Sequence, residues 1–332
     1  MNMNPQKLHE ELLSKIVPAG RYTGGNAEAW QKEARKKLSL LLGLPEKNCA
    51  DDLIIEWTKE RDGYSETRFT FESEKGFRAL AHLLLPAGVQ KPETVICLQG
   101  HSTGMHISIG IPKYEGDETS IQGGRDFALQ AVKNGYAAVA LEQRAFGECG
   151  GTEKGPACAL PAYTALMLGR TLLGERVYDV MRLIDVLESH FADSVNTQKI
   201  CLTGNSGGGT TTIYAAALDE RISVSAPSCA FSAYLESIGM QHHCPCNYVP
   251  GISRVFDMAD LAALAAPRPQ IVMNGKYDGI FPYDKAAEQV EIARKVYEEL
   301  GAGSNIEHYV GEEGHRYYPN IAWSAINRYM RG

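Results

Sequence analysis

The sequence predicts an α/β fold: a mostly parallel central sheet with helices on both faces and an antiparallel N-terminal hairpin. Three observations carry this expectation. Short apolar runs recur at TVICL, YAAVAL, KICLT, RISVSA, QIVMN and IEHYV. Helical segments separate most of them, and strands that alternate with helices make parallel sheets buried on both faces. Ahead of these runs, ETRFTFES and RALAHLLLP flank SEKG, which reads as an antiparallel pair with a glycine turn.

Taken in order, residues 6–42 read as helical, and EAWQKEARKKLSLLLG stops at Gly43 with Pro45 just beyond. The hairpin follows, with Phe69 and Phe71 in alternation. Among the later helices, GERVYDVMRLIDVLES places Val177, Val180, Met181, Ile184 and Leu187 on one face. KAAEQVEIARKVYEEL does the same with Val290, Ala293, Val296, Tyr297 and Leu300. The expected organisation is a helical extension over 1–60 packed on one α/β domain over 61–332. An inserted loop region at about 228–254 lies between two strands, where a long loop serves as a lid or pocket wall.

A chain of 332 residues can bury a deep core, and its 44% hydrophobic and 22% charged residues are globular values. A net charge of −7 without a basic run argues against nucleic acid as a partner. No apolar run approaches about 18 residues, so no membrane span is expected. The opening MNMNPQKLHEELLSK lacks the apolar run of a signal peptide, so a cytoplasmic location is expected. There the eight cysteines would be reduced, with Cys97 and Cys201 inside apolar runs as core residues.

Two stretches fit G-x-S-x-G, the pattern of a nucleophile elbow: GHSTG at 100–104 and GNSGG at 204–208. An elbow needs a strand, a tight glycine turn and a helix whose N–H groups and dipole meet a developing oxyanion. Ser206 has all three, between KICLT and TTTIYAAALDE. Ser102 has the strand, but MHISIGIPKYEG after it reads as a loop. Such a loop can supply a second oxyanion donor, so the N–H groups of Gly207 and His101 form the candidate pair, with Ser102 N–H the alternative.

A serine needs a base and a group to orient it, in the chain order Ser, Asp or Glu, His. Asp278 follows the QIVMN strand by a short glycine-containing loop, while its neighbour Asp284 suits the N-cap of the next helix. His315 follows the IEHYV strand by a second such loop, and His308 lies inside that strand as a structural residue.

With these residues in view, the chain resembles the α/β-hydrolase superfamily. More narrowly it is similar to the acetyl xylan esterase-like and dienelactone hydrolase-like branch. The resemblance runs from about Trp57 to the C-terminus. It rests on LQGHSTG, EQRAFGE, LGRTLLGERVYDVMRLIDVL, GNSGGG, HHCPCNYVPG, DLAALAAPRPQIVMNGKYDGIFP and GEEGHRYY. It implies an α/β-hydrolase fold and a serine esterase without a metal or other cofactor. Ser206 would be nucleophile, Asp278 orienting acid and His315 base, acting on a small-molecule ester. Two departures stand out. Gln99 replaces the histidine of a His-Gly pair, and the expected lack of a secretion signal argues against polymeric xylan as the substrate. The dienelactone hydrolases proper carry cysteine where Ser206 stands, so their specific activity is not implied.

Rival readings are a peptidase of the prolyl-oligopeptidase type and a non-catalytic binding module. The first has too little room, with about 90 residues ahead of the core strands; the second gives no reason for an ordered Ser, Asp and His. HHCPC, with thiols beside imidazoles, suits zinc, but no matching C-x-x-C accompanies it. His242, His243, Cys244 and Cys246 are therefore read as pocket wall. Arg144, after YAAVAL, could meet substrate but reads better as paired with Glu142 or Glu148. A homo-oligomer is left open.

Overall fold

A computed structural model describes residues 3–332. Its strands are β1 (Ile54–Arg61), β2 (Tyr64–Glu74), β3 (Phe77–Pro86), β4 (Glu93–Leu98), β5 (Ala137–Leu141), β6 (Asn196–Asn205), β7 (Ile222–Ser228), β8 (Gln270–Gly275) and β9 (Ile306–Gly311). They form one sheet in the order β1-β2-β3-β5-β4-β6-β7-β8-β9. Pairing is antiparallel from β1 through β3 to β5, and parallel across β5, β4, β6, β7, β8 and β9. The helices are α1 (Pro5–Ser14), α2 (Ala27–Leu42), α3 (Asp117–Ser120), α4 (Phe127–Lys133), α5 (Ala159–Met167), α6 (Leu172–His190), α7 (Gly207–Leu218), α8 (Ile252–Val255), α9 (Met258–Ala265), α10 (Tyr283–Glu299) and α11 (Pro319–Arg331).

The apolar runs are continuous because both faces of the sheet are covered. In β4, Ile96 and Leu98 join a core shared with α2, α6, α7, α9 and α10. Val95 and Cys97 point the other way, into a layer closed by α4 and α11. Every predicted apolar run forms a strand, and the fold is that of an α/β-hydrolase with an antiparallel N-terminal edge.

Two expectations near the N-terminus are corrected. Residues 6–42 are not one helical stretch. Pro18, Gly20, Gly24 and Gly25 separate α1 from α2, and Gly24 and Gly25 adopt φ of 106° and 109°. Asn26 then caps α2 by accepting the Ala29 N–H at 2.9 Å. Residues 54–60, assigned to a helical extension, instead form β1, joined to β2 by the Asp62-Gly63 turn. That strand is an exposed edge rich in charge, so it lacks the alternation that marks a half-buried strand. Asp284 lies in the first turn of α10 rather than at its N-cap, which is Pro282. The 228–254 region contains only short turns and α8.

Just past β5, the Glu142 carboxyl is buried and accepts the Met105 N–H at 3.0 Å. Glycines make room for it: a Cβ on Gly147 would lie 2.0 Å from Glu142 Oε2. Burial pushes its pKa up to about 8, against the pull of the Met105 N–H. Because the folded pKa exceeds the unfolded value, roughly 4.3, the proton's stabilising contribution is complete at low pH and is lost as pH rises through about 8. Glu142→Gln, uncharged at every pH, should raise Tm above wild type at pH 9 and have little advantage at pH 5. Calorimetry at both pH values checks this, and an advantage of equal size at the two would contradict it.

Candidate active site

Loops at the carboxyl ends of β4, β6, β7, β8 and β9 border one crevice, and of the residues singled out in the sequence they bring His101, Ser206, Gly207, His242, His243, Cys244 and His315 to its wall. Ser206 lies between β6 and α7 with φ 52° and ψ −121°. A non-glycine residue there stores about 1–3 kcal/mol of strain and persists only where its surroundings fix it. Its N–H donates to Ser228 O at 2.8 Å, and its own carbonyl accepts the Thr210 N–H at 2.8 Å. The glycines around it are packing requirements. A Cβ on Gly208 would sit 2.1 Å from Leu98 O, and one on Gly204 would sit 2.5 Å from Gly208 C. α7 therefore lies directly on β4 and β6.

The Asp278 carboxylate is buried. Its Oδ1 accepts N–H groups of Ile280 at 2.8 Å and Phe281 at 3.2 Å. Its Oδ2 lies 2.8 Å from His315 Nδ1. Burial opposes the charge on Asp278, but the His315 hydrogen bond and the two backbone donors overcome it, holding the pKa below the ordinary carboxylate value. With Nδ1 engaged, His315 keeps Nε2 for the cleft, and its ring stacks on Phe281 at 6.1 Å between centroids. Cys229 lies beside this pair; burial, and then the Asp278 charge, push its thiol up to about 12 and keep it protonated.

Ser206, Gly207, His101 and His315 line one cleft of about 490 Å³, together with His242, His243 and Cys244. The backbone N–H groups of His101, Ser102 and Gly207 have no acceptor among the described residues. The Ser102 hydroxyl is buried without a partner among the described residues, and Ser102 does not line the cleft. Gln99, the departure from the His-Gly pattern, donates to Ser108 Oγ at 2.8 Å and Arg125 O at 2.6 Å, which ties this loop to its neighbours. His243 packs edge-on against Phe281. Burial, then the imidazoles of His101 and His315, hold its pKa down at about 4, so it is neutral near pH 7.

Arg144 is not a cleft residue. Its Nε and Nη2 grip both oxygens of Asp179 at 2.8 Å, and its Nη1 meets Glu74 at 3.1 Å. Its acids come from α6 and β2 rather than from the adjacent Glu142 and Glu148. Two other arginines line the cleft, Arg316 and Arg125, and Arg125 carries no sequence motif. A Cβ on Gly100 would sit 2.8 Å from Arg125 Nη2 and 3.0 Å from Ser206 Cβ, so only the missing side chain of Gly100 lets the guanidinium approach the serine. Arg125 makes no ion pair with a carboxylate among the described residues, and its Nε has no partner. The HHCPC segment is divided. His242, His243 and Cys244 face the cleft, while Cys244 and Cys246 also gather with Cys158 and His101 into a group whose Sγ and ring-nitrogen atoms all lie within 4.8 Å of one another.

The chain is 24% identical over 280 residues to YtaP of Bacillus subtilis (strain 168), assigned as a hydrolase; the match covers 81% of this chain and 89% of YtaP. It is 31% identical over 174 residues to 4-O-methyl-glucuronoyl methylesterase 1 of Wolfiporia cocos (strain MD-104), covering 43% of this chain and 41% of that one. A Bacteroides fragilis NCTC 9343 structure assigned as an acetyl xylan esterase superposes with a TM-score of 0.77 at 20% identity, covering 94% of this chain and 83% of that one. At that identity the likeness speaks for the fold. Residues 6–225, more than half of the chain, match the abhydrolase family, and the chain belongs to that family of α/β-hydrolases.

Proposed function

We propose that this protein is a carboxylic ester hydrolase that cleaves short-chain, acetyl-like esters through a Ser206 acyl-enzyme. The observation that carries the reading is the strained Ser206 elbow opening on the same cleft as His315, whose Nδ1 is held by the buried Asp278 carboxylate. Relatives named as acetyl xylan and glucuronoyl esterases supply the substrate class.

In this mechanism His315 Nε2 takes the proton from Ser206 Oγ as the oxygen attacks the ester carbonyl. The oxyanion meets Gly207 N–H and the N–H groups of the 101–102 loop, each donor contributing about 3 kcal/mol to barrier reduction. Collapse expels the alcohol, which receives the proton from His315. Water, activated by the same histidine, then releases the acid and restores Ser206. Asp278 holds the His315 tautomer and stabilises the imidazolium. Arg125 adds an unpaired positive charge beside the reacting centre and favours an ester with a further oxygen to place there. The cleft is walled by His242, His243, Arg125 and Arg316, which suits a small polar ester over a long acyl chain.

On a panel of nitrophenyl esters, acetyl and butyryl substrates should turn over faster than octanoyl or longer ones, and peptide anilides should be inert. Faster octanoyl hydrolysis, or anilide cleavage with inert esters, would contradict the reading. Asp278→Asn leaves the side-chain shape intact but removes the charge that orients His315. It should lower kcat by about 10⁴ without comparable change in KM. Steady-state kinetics on the folded variant check this, and a loss under tenfold would contradict the assignment.

A further inference from the structure

We infer that His101, Cys158, Cys244 and Cys246 form a structural zinc site behind the proposed oxyanion loop. The four residues come from three separate segments: the loop after β4, the residue that opens α5, and the turn at 244–247. Their donor atoms nevertheless converge. His101 Nε2 lies 3.2 Å from Cys246 Sγ, Cys246 Sγ lies 3.3 Å from Cys244 Sγ, and all four donors fall within 4.8 Å. A tetrahedral zinc with bonds of about 2.3 Å to sulfur and about 2.0 Å to nitrogen sets its ligands roughly 3.5–3.8 Å apart. The cluster brackets that spacing. Three thiols and one imidazole form a soft donor set that selects zinc over hard cations.

Charge supplies an independent argument. Arg176 is wholly buried, yet it makes no ion pair with a carboxylate among the described residues. Its guanidinium donates to Arg144 O at 2.7 Å and to Cys158 Sγ at 3.1 Å, and it stacks on Phe146 at 4.4 Å. An isolated buried cation is costly, and it requires a counter-charge. Zinc with three thiolates and a neutral imidazole carries one net negative charge, and Cys158 delivers it to Arg176. On binding, the three thiols release their protons to solvent, with no change of oxidation state.

Four protein ligands fill a tetrahedral shell, so the metal would organise structure rather than activate water. Its point of attachment is specific. With Nε2 on the metal, His101 keeps Nδ1 turned toward α7, where a Cβ on Gly207 would lie 2.9 Å away. The ion thus ties the 101–102 loop and the 244–247 pocket wall to the start of α7.

The test is metal content of the full-length protein, purified from zinc-supplied cells without strong chelators. Elemental analysis should find about one zinc per chain. A mercurial that attacks thiolates should release it to a colorimetric indicator. X-ray absorption at the zinc edge should show three sulfur ligands and one nitrogen. Cys158→Ser and Cys246→Ser should each lower the zinc content at least fivefold, while Ser206→Ala should retain it in full, which separates this site from the esterase reading. Wild-type protein holding under 0.1 zinc per chain, an oxygen-rich zinc shell, or a Cys244–Cys246 disulfide by mass spectrometry would overturn the proposal without requiring any variant to fold.

Discussion

The arrangement depends on the reversal of the chain at Ser206. A strand in a sheet buried on both faces must turn into a helix within one residue, and a non-glycine residue must hold φ 52° to do it. What fixes that residue is the close approach of α7 to β4 and β6, which only glycine at 204 and 208 permits. The strain is sustained by the core. Ile213, Ala215, Ala216 and Ala217 of α7 pack into the layer shared with α6 and α9. Loosening that packing would release the strain and withdraw the hydroxyl from the crevice.

Electrostatics then divide the carboxylates by environment. Asp278 has two backbone donors and a histidine, and it stays ionised despite burial. Glu142 has backbone donors alone among the described residues, in a drier setting, and its pKa rises to about 8. One carboxyl holds His315 through its Nδ1; the other pins the loop after the first G-x-S-x-G at Met105. The same logic separates the arginines. Arg144 is saturated by acids and braces α6 against the hairpin, whereas Arg125 and Arg176 make no ion pair with a carboxylate among the described residues.

Much of this was legible in the sequence because parallel strands and an elbow leave local signals. The six core strands stood out as apolar runs, and the order of Ser206, Asp278 and His315 could be read because Ser206 sits directly between a strand and a helix and the other two follow strands by short loops. β1 was not legible, since an exposed edge strand has no buried face to impose alternation. Arg125 was missed because its proximity to Ser206, far off in the chain, depends on the missing side chain of Gly100. The thiol cluster was missed for a related reason. Zinc was weighed on the spacing within HHCPC, but the partners of Cys244 and Cys246 are Cys158 and His101, which no local spacing reveals.

The central claim is that the elbow makes Ser206 the reactive group and leaves Ser102 in a supporting loop. The most direct measurement is mass spectrometry of the wild-type protein after reaction with a fluorophosphonate. The account predicts a single adduct, on the peptide that contains Ser206, and none on the peptide that contains Ser102. An adduct on Ser102, or undiminished labelling of the Ser206→Ala protein, would contradict it.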